Sequence, residues 1–136
     1  MKIYFAGSIT GGRDDQSLYL EIIKLLADYG EVLTEHIGDA IVTAGGESVE
    51  ASIIFDRDVA WLEQSDIVIA EVTTVSMGVG YELGISEKLG KKVICLYRQI
   101  EGKRLSAMIA GNKHFSVQPY QSVSDVKSIL DKELVK

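Results

Sequence analysis

Short apolar runs rich in β-branched residues alternate along this chain with segments in which apolar residues recur every three or four positions. Runs of the first kind are typical of buried strands, and the second spacing is typical of helices with one apolar face. We predict strands at residues 2–6, 31–34, 66–72, 92–97 and 115–117. We predict helices at about residues 18–29, 47–64, 81–89, 104–110 and 122–134.

This alternation predicts an α/β fold with a doubly wound, flavodoxin- or Rossmann-like sheet of five parallel strands and helices on both faces. Residues 66–72 are nearly continuously apolar, which is typical of a central strand covered on both faces. Ser122 and Asp125 have the spacing of a capping box for the last helix. A chain of 136 residues usually encloses one core, so we assign residues 1–136 to a single domain.

Composition narrows the classes of partner. The 14 basic and 20 acidic residues give a formal net charge of −6, with no basic run, so binding to nucleic acid is disfavoured. No segment approaches the roughly 20 apolar residues of a membrane span. The apolar stretch at the N-terminus is too short for a signal peptide, so the expected location is the cytoplasm. A small phosphorylated ligand remains compatible, because amides and hydroxyls can hold one phosphate.

A glycine-rich turn at residues 7–12 follows the first predicted strand. In open α/β sheets, ligands lie beyond the carboxyl ends of the strands, at the point where the strand order reverses. The amides of this turn, which contains Ile9, and the hydroxyls of Ser8 and Thr10 are therefore candidate ligands for an anion. The turn lacks the dinucleotide-binding spacing and the P-loop lysine. The alternative is that its glycines only make the corner between strand and helix.

A second such turn, at residues 76–84, contains Glu82. We predict that Glu82 lies in the first turn of the third helix, where the helix dipole favours an ionised carboxylate and makes it a candidate nucleophile. The alternative is that acidic residues are common in first helical turns for that same electrostatic reason.

Asp58 lies on the predicted apolar stripe of the second helix, with Trp61 one turn away. Burying an unpaired carboxylate there would cost several kcal/mol, so Asp58 needs a partner, a proton or a cavity. If the cavity is a ligand pocket, Asp58 and Glu82 form two carboxylates in different environments, which separates acid and nucleophile roles. The alternative is a structural ion pair with Arg57 or Arg13.

Histidine and cysteine offer little further chemistry. His36 follows the second strand near the same sheet edge and is a candidate ligand contact, whereas His114 lies by the last strand. Two separated histidines do not make a metal site, so no metal is expected. Cys95 lies within an apolar run and is expected to belong to the core.

Several segments in order carry a resemblance to a known family. They are residues 4–9 with 11–13, residues 33–36, Asp58 with Trp61 and Leu62, residues 66–72, Ser76 with residues 78–84, and residues 105–109. Together they resemble the 2'-deoxynucleoside 5'-phosphate N-hydrolases, within the nucleoside 2-deoxyribosyltransferase superfamily, over nearly the whole chain. The Gly80-Tyr81-Glu82 segment is the most specific of these pieces.

The resemblance implies a retaining N-glycosidase that needs no metal or organic cofactor. Glu82 would attack the anomeric carbon of the deoxyribose, and water would resolve the glycosyl-enzyme to free base and 2-deoxyribose 5-phosphate. Asp58 would bind or protonate the leaving base, and Tyr4 would orient Glu82 and disfavour a 2'-hydroxyl. The residues implied to hold the 5'-phosphate are Gly7, Ser8, Ser76, Gly78 and, from the neighbouring subunit of a homodimer, Ser106.

One position departs from the family's pattern, which has an arginine where this chain has Thr10. Either Arg13 replaces that phosphate contact, or the enzyme acts on unphosphorylated nucleosides as a 2-deoxyribosyltransferase. A glycosidase of pyrimidine ribonucleotides such as CMP is a further alternative, against which Tyr4 argues. A non-catalytic nucleotide-binding or signalling domain is disfavoured, because the acidic pair and phosphorylatable aspartate of receiver domains are missing after the first and third strands.

Overall fold

The computed structural model describes residues 1–8, 13–34 and 50–134, and of residues 13 and 14 only the backbone. Its elements, in chain order, are β1 (Lys2–Ala6), α1 (Arg13–Leu26), β2 (Glu31–Val32), α2 (Ala51–Gln64), β3 (Ile67–Glu71), α3 (Met77–Lys88), β4 (Lys92–Arg98), α4 (Ala107–Ala110), β5 (Phe115–Tyr120) and α5 (Val123–Leu134). None of the helices in these ranges combines the length and apolar character that crossing a bilayer requires.

The five strands form one sheet in the order β2-β1-β3-β4-β5, and every neighbouring pair is parallel. The predicted α/β fold is therefore confirmed. The chain moves from β1 outward to β2 and then back past β1 to β3, so the strand order reverses between β1 and β3. The helices that follow these two adjacent strands, α1 and α3, pack on opposite faces of the sheet, and the carboxyl end of such a pair of strands is the usual ligand position.

The core consists of two apolar layers, one on each face of the sheet. Alternate residues of β1 enter different layers: Ile3 and Phe5 pack towards α1 and α5, whereas Tyr4 and Ala6 pack towards α2 and α3. Cys95 lies in the second layer, fully buried, and burial raises the pKa of its thiol to about 12. The prediction that it is a core residue is confirmed.

Several element bounds differ from the predicted ones. The helix α1 ends at Leu26 rather than near Tyr29, and α2 begins at Ala51, with Glu50 in an extended conformation before it; residues 47–49 lie outside the described part. The strand β5 continues three residues past Val117, through Pro119, which an edge strand tolerates. The capping box of α5 is confirmed, since the Ser122 amide donates to Asp125 and the Asp125 amide donates to the Ser122 hydroxyl.

The strand β2 is shorter than predicted because a side chain, that of Thr34, takes the place of further backbone hydrogen bonds to β1. It ends at Val32, and the Thr34 hydroxyl then takes both hydrogen-bonding groups of Phe5, accepting from its amide at 2.8 Å and donating to its carbonyl at 2.6 Å. The carboxyl end of β1 is thereby fixed to the chain that follows β2.

Candidate active site

A cavity of about 260 Å³ opens between α2 and α3, on the sheet face that carries Tyr4. Its lining is Ala51, Ile54, Phe55, Asp58, Val59, Leu62, Gly78, Tyr81, Glu82 and Ile85. The structure therefore brings the two carboxylates singled out in the sequence, Asp58 and Glu82, to the same cavity. All but a few of the other lining groups are apolar, so both carboxylates face a poorly solvating space.

Glu82 is held by the hydroxyl of Tyr4, which donates a short hydrogen bond to its Oε2 atom. Burial raises the pKa of Glu82 to about 7; the Tyr4 hydrogen bond lowers it, and the nearby charge of Asp58 raises it. Burial and Glu82 raise the pKa of Tyr4 far above its ordinary value, so the phenol stays a neutral donor. A carboxyl group with this pKa is only partly ionised at neutral pH.

The predicted reason for an ionised Glu82 was wrong. The helix α3 begins at Met77, earlier than predicted, and its first turn contains no acidic residue, so Glu82 lies in the second turn. The dipole of a helix acts mainly within its first turn and cannot fix the charge of this group. The Tyr4 hydroxyl, which reaches Glu82 from β1, is the group that favours the carboxylate.

Asp58 has both of the environments that the sequence left open. Its Oδ1 atom accepts a hydrogen bond from Arg57 Nε at 2.9 Å, as the structural alternative required, and its side chain also lines the cavity. The guanidinium of Arg57 lies 4.9 Å from the centre of the Trp61 ring. This stacking holds the cation, and through it Asp58, at the edge of the cavity.

The apolar stripe of α2 faces the cavity more than the core, since Leu62 is its one buried residue. Phe55 and Tyr81 are 51% and 60% exposed, and their ring centres lie 6.3 Å apart at the rim. Neither Phe55 nor Tyr81 is among the site residues expected from the sequence. A helix face that packs on the core and one that lines a cavity have the same sequence pattern. The aromatic character of Phe55 and Tyr81 was the one signal in the sequence that could have indicated a cavity wall. Such walls suit a flat heterocycle.

The first glycine-rich turn is described only up to Ser8; Ile9, Thr10, His36 and the side chain of Arg13 lie outside the described residues. Gly7 is explained by packing, because a Cβ atom there would lie 2.9 Å from the Tyr19 ring. The Ser8 amide donates to the Tyr19 hydroxyl at 3.2 Å. Packing against Tyr19 is therefore a sufficient reason for a glycine at this position.

The second turn leads into the start of α3. Ser76 caps the helix, with its Oγ atom accepting from the Val79 amide at 3.2 Å. A Cβ atom on Gly78 would meet only the Ser76 Oγ atom, at 3.8 Å, so packing does not demand a glycine there. Gly78 instead leaves the approach to this helix start open on the side of the cavity, and such a start attracts anions.

Ser106 is not among the residues that line the cavity of Glu82. It caps α4 and lines a second cavity of about 360 Å³, which also contains Ser76, Gly80 and Met108. Three apolar side chains around this second cavity are almost fully exposed: Val75 (91%), Met77 (93%) and Met108 (81%). Over the described ranges, no group of three His, Cys, Asp or Glu side chains could hold a metal ion.

The parallel sheet and the two carboxylates in one cavity define an α/β protein with a candidate acid and nucleophile pair, and comparison with known proteins identifies the family. Residues 3–108 match the nucleoside 2-deoxyribosyltransferase family, and the chain belongs to it. It is 44% identical over 135 residues to the human 5-hydroxymethyl-dUMP N-hydrolase, covering 96% of this chain and 77% of that protein. The zebrafish (Danio rerio) protein of the same name is 47% identical over 135 residues, which cover 96% and 94% of the two chains.

Solved structures show the same fold. A CMP N-glycosidase of Clostridium botulinum superimposes with a TM-score of 0.69 at 18% identity, covering 98% of this chain and 100% of that one. A 2-deoxyribosyltransferase of Bacillus psychrosaccharolyticus gives a TM-score of 0.69 at 21% identity, with 93% and 90% covered.

Proposed function

We propose that this protein is an N-glycosidase that hydrolyses 2'-deoxynucleoside 5'-monophosphates to free base and 2-deoxyribose 5-phosphate, with Glu82 as nucleophile. The observation that carries the proposal is the cavity in which Glu82, bonded to a buried tyrosine, and Asp58 face the same apolar space. The names of the close relatives, which are N-hydrolases of a deoxynucleotide, support the same reaction.

The chemistry follows from how charge develops. As the bond between C1' and the base nitrogen breaks, its electron pair leaves with the base and positive charge grows on the sugar ring. The Glu82 carboxylate stabilises that charge and then bonds to C1'. Water attacks C1' in the second step and releases Glu82, so one water is consumed for each bond broken. A 2'-deoxy sugar suits this route, because a 2'-hydroxyl would withdraw electrons from the cation.

Asp58 serves the leaving base. It stands on α2, across the cavity from α3. In this role it binds the base as a carboxylate or, in its acid form, donates the proton that the departing nitrogen needs. Arg57 and Trp61 hold its carboxyl group in place. The apolar and aromatic walls formed by Ile54, Phe55 and Tyr81 pack on the two faces of the base.

Tyr4 has two roles in this proposal. Its hydroxyl fixes one oxygen of Glu82 and leaves the other to approach C1'. Its side chain is buried in the apolar layer next to α2 and α3, and we propose that the sugar carbon that bears no hydroxyl lies on the Tyr4 side of Glu82. A ribonucleotide would place a hydroxyl there, which gives the preference for deoxyribose.

The 5'-phosphate is placed at the start of α3, with Ser76 and Gly78, and against Gly7, Ser8 and the turn that contains Ile9 and Thr10. Ser76 already presents its hydroxyl at this helix start, and Gly78 leaves the approach open. We propose that Arg13 supplies the positive charge that the family has at position 10, where this chain has Thr10. We also propose that His36 contacts the substrate.

We also propose a homodimer in which Ser106 reaches the phosphate site of the neighbouring subunit. The exposed Val75, Met77 and Met108 form an apolar surface around Ser106, and a second copy of the chain is the occupant that would cover it. A cytoplasmic location fits a chain whose single cysteine is a buried thiol.

Complementation tests the shared site. Glu82→Gln and Ser106→Ala each damage every site of their own homodimer, whereas a mixed dimer holds one intact site. We expect an equal mixture to regain about a quarter of the wild-type activity at low substrate concentration, once subunits exchange. Activity equal to the mean of the separate variants would contradict the shared site, as would a monomer in sedimentation that keeps full activity.

Base release tests the reaction. The protein is incubated with 5-hydroxymethyl-dUMP, dGMP, dCMP or CMP, with and without a second free base, and the products are separated by chromatography. We expect release of base from a deoxynucleotide without an acceptor and little from CMP, with Glu82→Gln as the inactive control. Release only with an acceptor would indicate a transferase, release only from CMP a ribonucleotide glycosidase, and binding without turnover a nucleotide-binding domain.

A further inference from the structure

A cluster of charged and hydroxyl side chains lies outside the candidate active site, at the carboxyl ends of β3 and β4 on the opposite face of the sheet. Its centre is Arg98, the last residue of β4. The Arg98 Nη2 atom donates to Asp15 Oδ1 at 2.8 Å, and its Nε atom donates to Glu71 Oε2 at 3.3 Å. Both acids are buried, with 8% and 0% of Asp15 and Glu71 exposed.

The second oxygen of Asp15 contacts the loop that follows β3. The Thr74 hydroxyl donates to Asp15 Oδ2 at 2.6 Å. Asp15 is the third residue of α1, just after the first glycine-rich turn, and Thr74 lies in the loop between β3 and α3, two residues before Ser76. One carboxylate therefore joins the two segments that leave the adjacent strands β1 and β3.

The loop after β3 carries Ser76, to which the proposed function assigns the 5'-phosphate. The pairing of β1 with β3 ends at Ala6 and Ala70, so it does not fix this loop against the start of α1. Further contacts hold each side. The Ser8 amide bonds to the Tyr19 hydroxyl on α1, and the Arg98 amide donates to Thr73 Oγ1 at 2.9 Å. A site whose walls are fixed in advance loses less entropy when it binds its ligand.

We propose that Asp15, held by Arg98 and Thr74, is a positioning residue that fixes the loop carrying Ser76 against the start of α1 for phosphate binding. The inference rests on the proposed function and deepens it, since it names what orders the phosphate site from outside. Asp15 does not touch the substrate. Its two carboxylate oxygens act as a brace between the start of α1 and the loop that carries Ser76.

Two substitutions of Thr74 test the brace with little change of volume. Thr74→Val removes the hydroxyl and keeps the branched shape, whereas Thr74→Ser keeps the hydroxyl. Binding of 2-deoxyribose 5-phosphate and of 2-deoxyribose is measured by NMR titration, and kcat and KM are measured with the best deoxynucleotide. We expect Thr74→Val to bind the phosphorylated sugar about tenfold more weakly, with a similar rise in KM and little change in kcat. Thr74→Ser is expected to behave like the wild type.

A purely structural role would not give this pattern. The positioning role would be wrong if Thr74→Val lowered only the midpoint of unfolding. It would also be wrong if this substitution weakened the binding of 2-deoxyribose 5-phosphate and of 2-deoxyribose by the same factor. Asp15→Asn provides the second test, because it keeps the shape of the side chain and weakens the contacts with Arg98 and Thr74; unchanged phosphate affinity there would also overturn the inference. Failure of the wild-type protein to bind the phosphorylated sugar or to release base would instead reject the proposed function.

Discussion

Two glutamates at the same edge of the sheet have opposite environments. Glu71, at the end of β3, is fully buried on the α1 and α5 face and accepts from four donors: the Thr73 amide at 2.7 Å, the Thr73 hydroxyl at 2.9 Å, Arg98 Nε at 3.3 Å and the Tyr120 hydroxyl. Glu82, on the α2 and α3 face, accepts from the Tyr4 hydroxyl and lines an open cavity.

The difference separates a structural carboxylate from a reactive one. Both carboxylate oxygens of Glu71 accept hydrogen bonds, its charge is paired with Arg98 and the residue is fully buried, so it is not accessible to a ligand. Glu82 lies where burial raises its pKa to about 7, and the described residues offer it one hydrogen-bond donor. A carboxylate with a free oxygen, a shifted pKa and a cavity before it is the one available for chemistry.

The largest expected effect is the loss of turnover in Glu82→Gln. The amide keeps the shape and can still accept from Tyr4, but it cannot form the glycosyl ester, so we expect kcat to fall by roughly 10⁴-fold or more. Chromatographic assay of base release measures this. Residual turnover within about tenfold of wild type would remove Glu82 from the nucleophile role.

The counterpart substitution, Glu71→Ala, is expected to act on stability. It leaves the Arg98 cation with Asp15 alone and deprives Thr73 and Tyr120 of their acceptor, which should lower the free energy of unfolding by about 3–5 kcal/mol. Urea denaturation followed by fluorescence of Trp61 gives the value. Unchanged stability would show that the four-donor environment of Glu71 contributes little to the fold.

Tyr4→Phe probes the one hydrogen bond that Glu82 receives. Because that hydrogen bond lowers the pKa of Glu82, its loss should raise the pKa and reduce kcat by roughly 10²-fold at neutral pH. The preference for deoxyribonucleotides over ribonucleotides should also narrow, since the ring no longer carries the hydroxyl beside the sugar. A variant with wild-type rate and selectivity would exclude both roles of Tyr4.

The pH dependence of activity should follow Glu82. The carboxylate is the active form, so kcat/KM in the wild type should rise with pH and level off above about 7. In Tyr4→Phe, the rise of kcat/KM should occur at higher pH than in the wild type. A profile that is flat through neutrality would mean that the ionisation of Glu82 does not control the free enzyme.

The same shift predicts a smaller effect on stability. The folded-state pKa of Glu82, about 7, lies above its ordinary value of 4.5, so folding favours the acid form and wild-type stability falls as pH rises between these values. Glu82→Gln has no such group. Its stability relative to wild type should therefore increase from about pH 4.5 to pH 7 and then stay constant, as measured by denaturation across that range.

The fold and the two carboxylates of the candidate active site were predictable from the sequence, whereas the structural role of Glu71 was not. Alternating apolar runs revealed the five parallel strands, and the conflict between a carboxylate and an apolar stripe singled out Asp58. The start of α3 was predicted too late because Gly78 and Gly80, which are poor helix formers, lie in its first turn after the N-cap residue Ser76. The role of Glu71 was not predictable because its partners Arg98 and Tyr120 lie 27 and 49 residues away in the sequence, and no local pattern links them.

The stereochemistry of the first-formed product tests the central claim most directly. With methanol present as an alternative acceptor, proton NMR identifies the anomer of the methyl 2-deoxyriboside 5-phosphate that forms from a β-nucleotide. Two successive displacements at C1', the first by Glu82 and the second by methanol, predict the β anomer. Formation of the α anomer would mean a single direct displacement and would contradict a glycosyl-enzyme on Glu82.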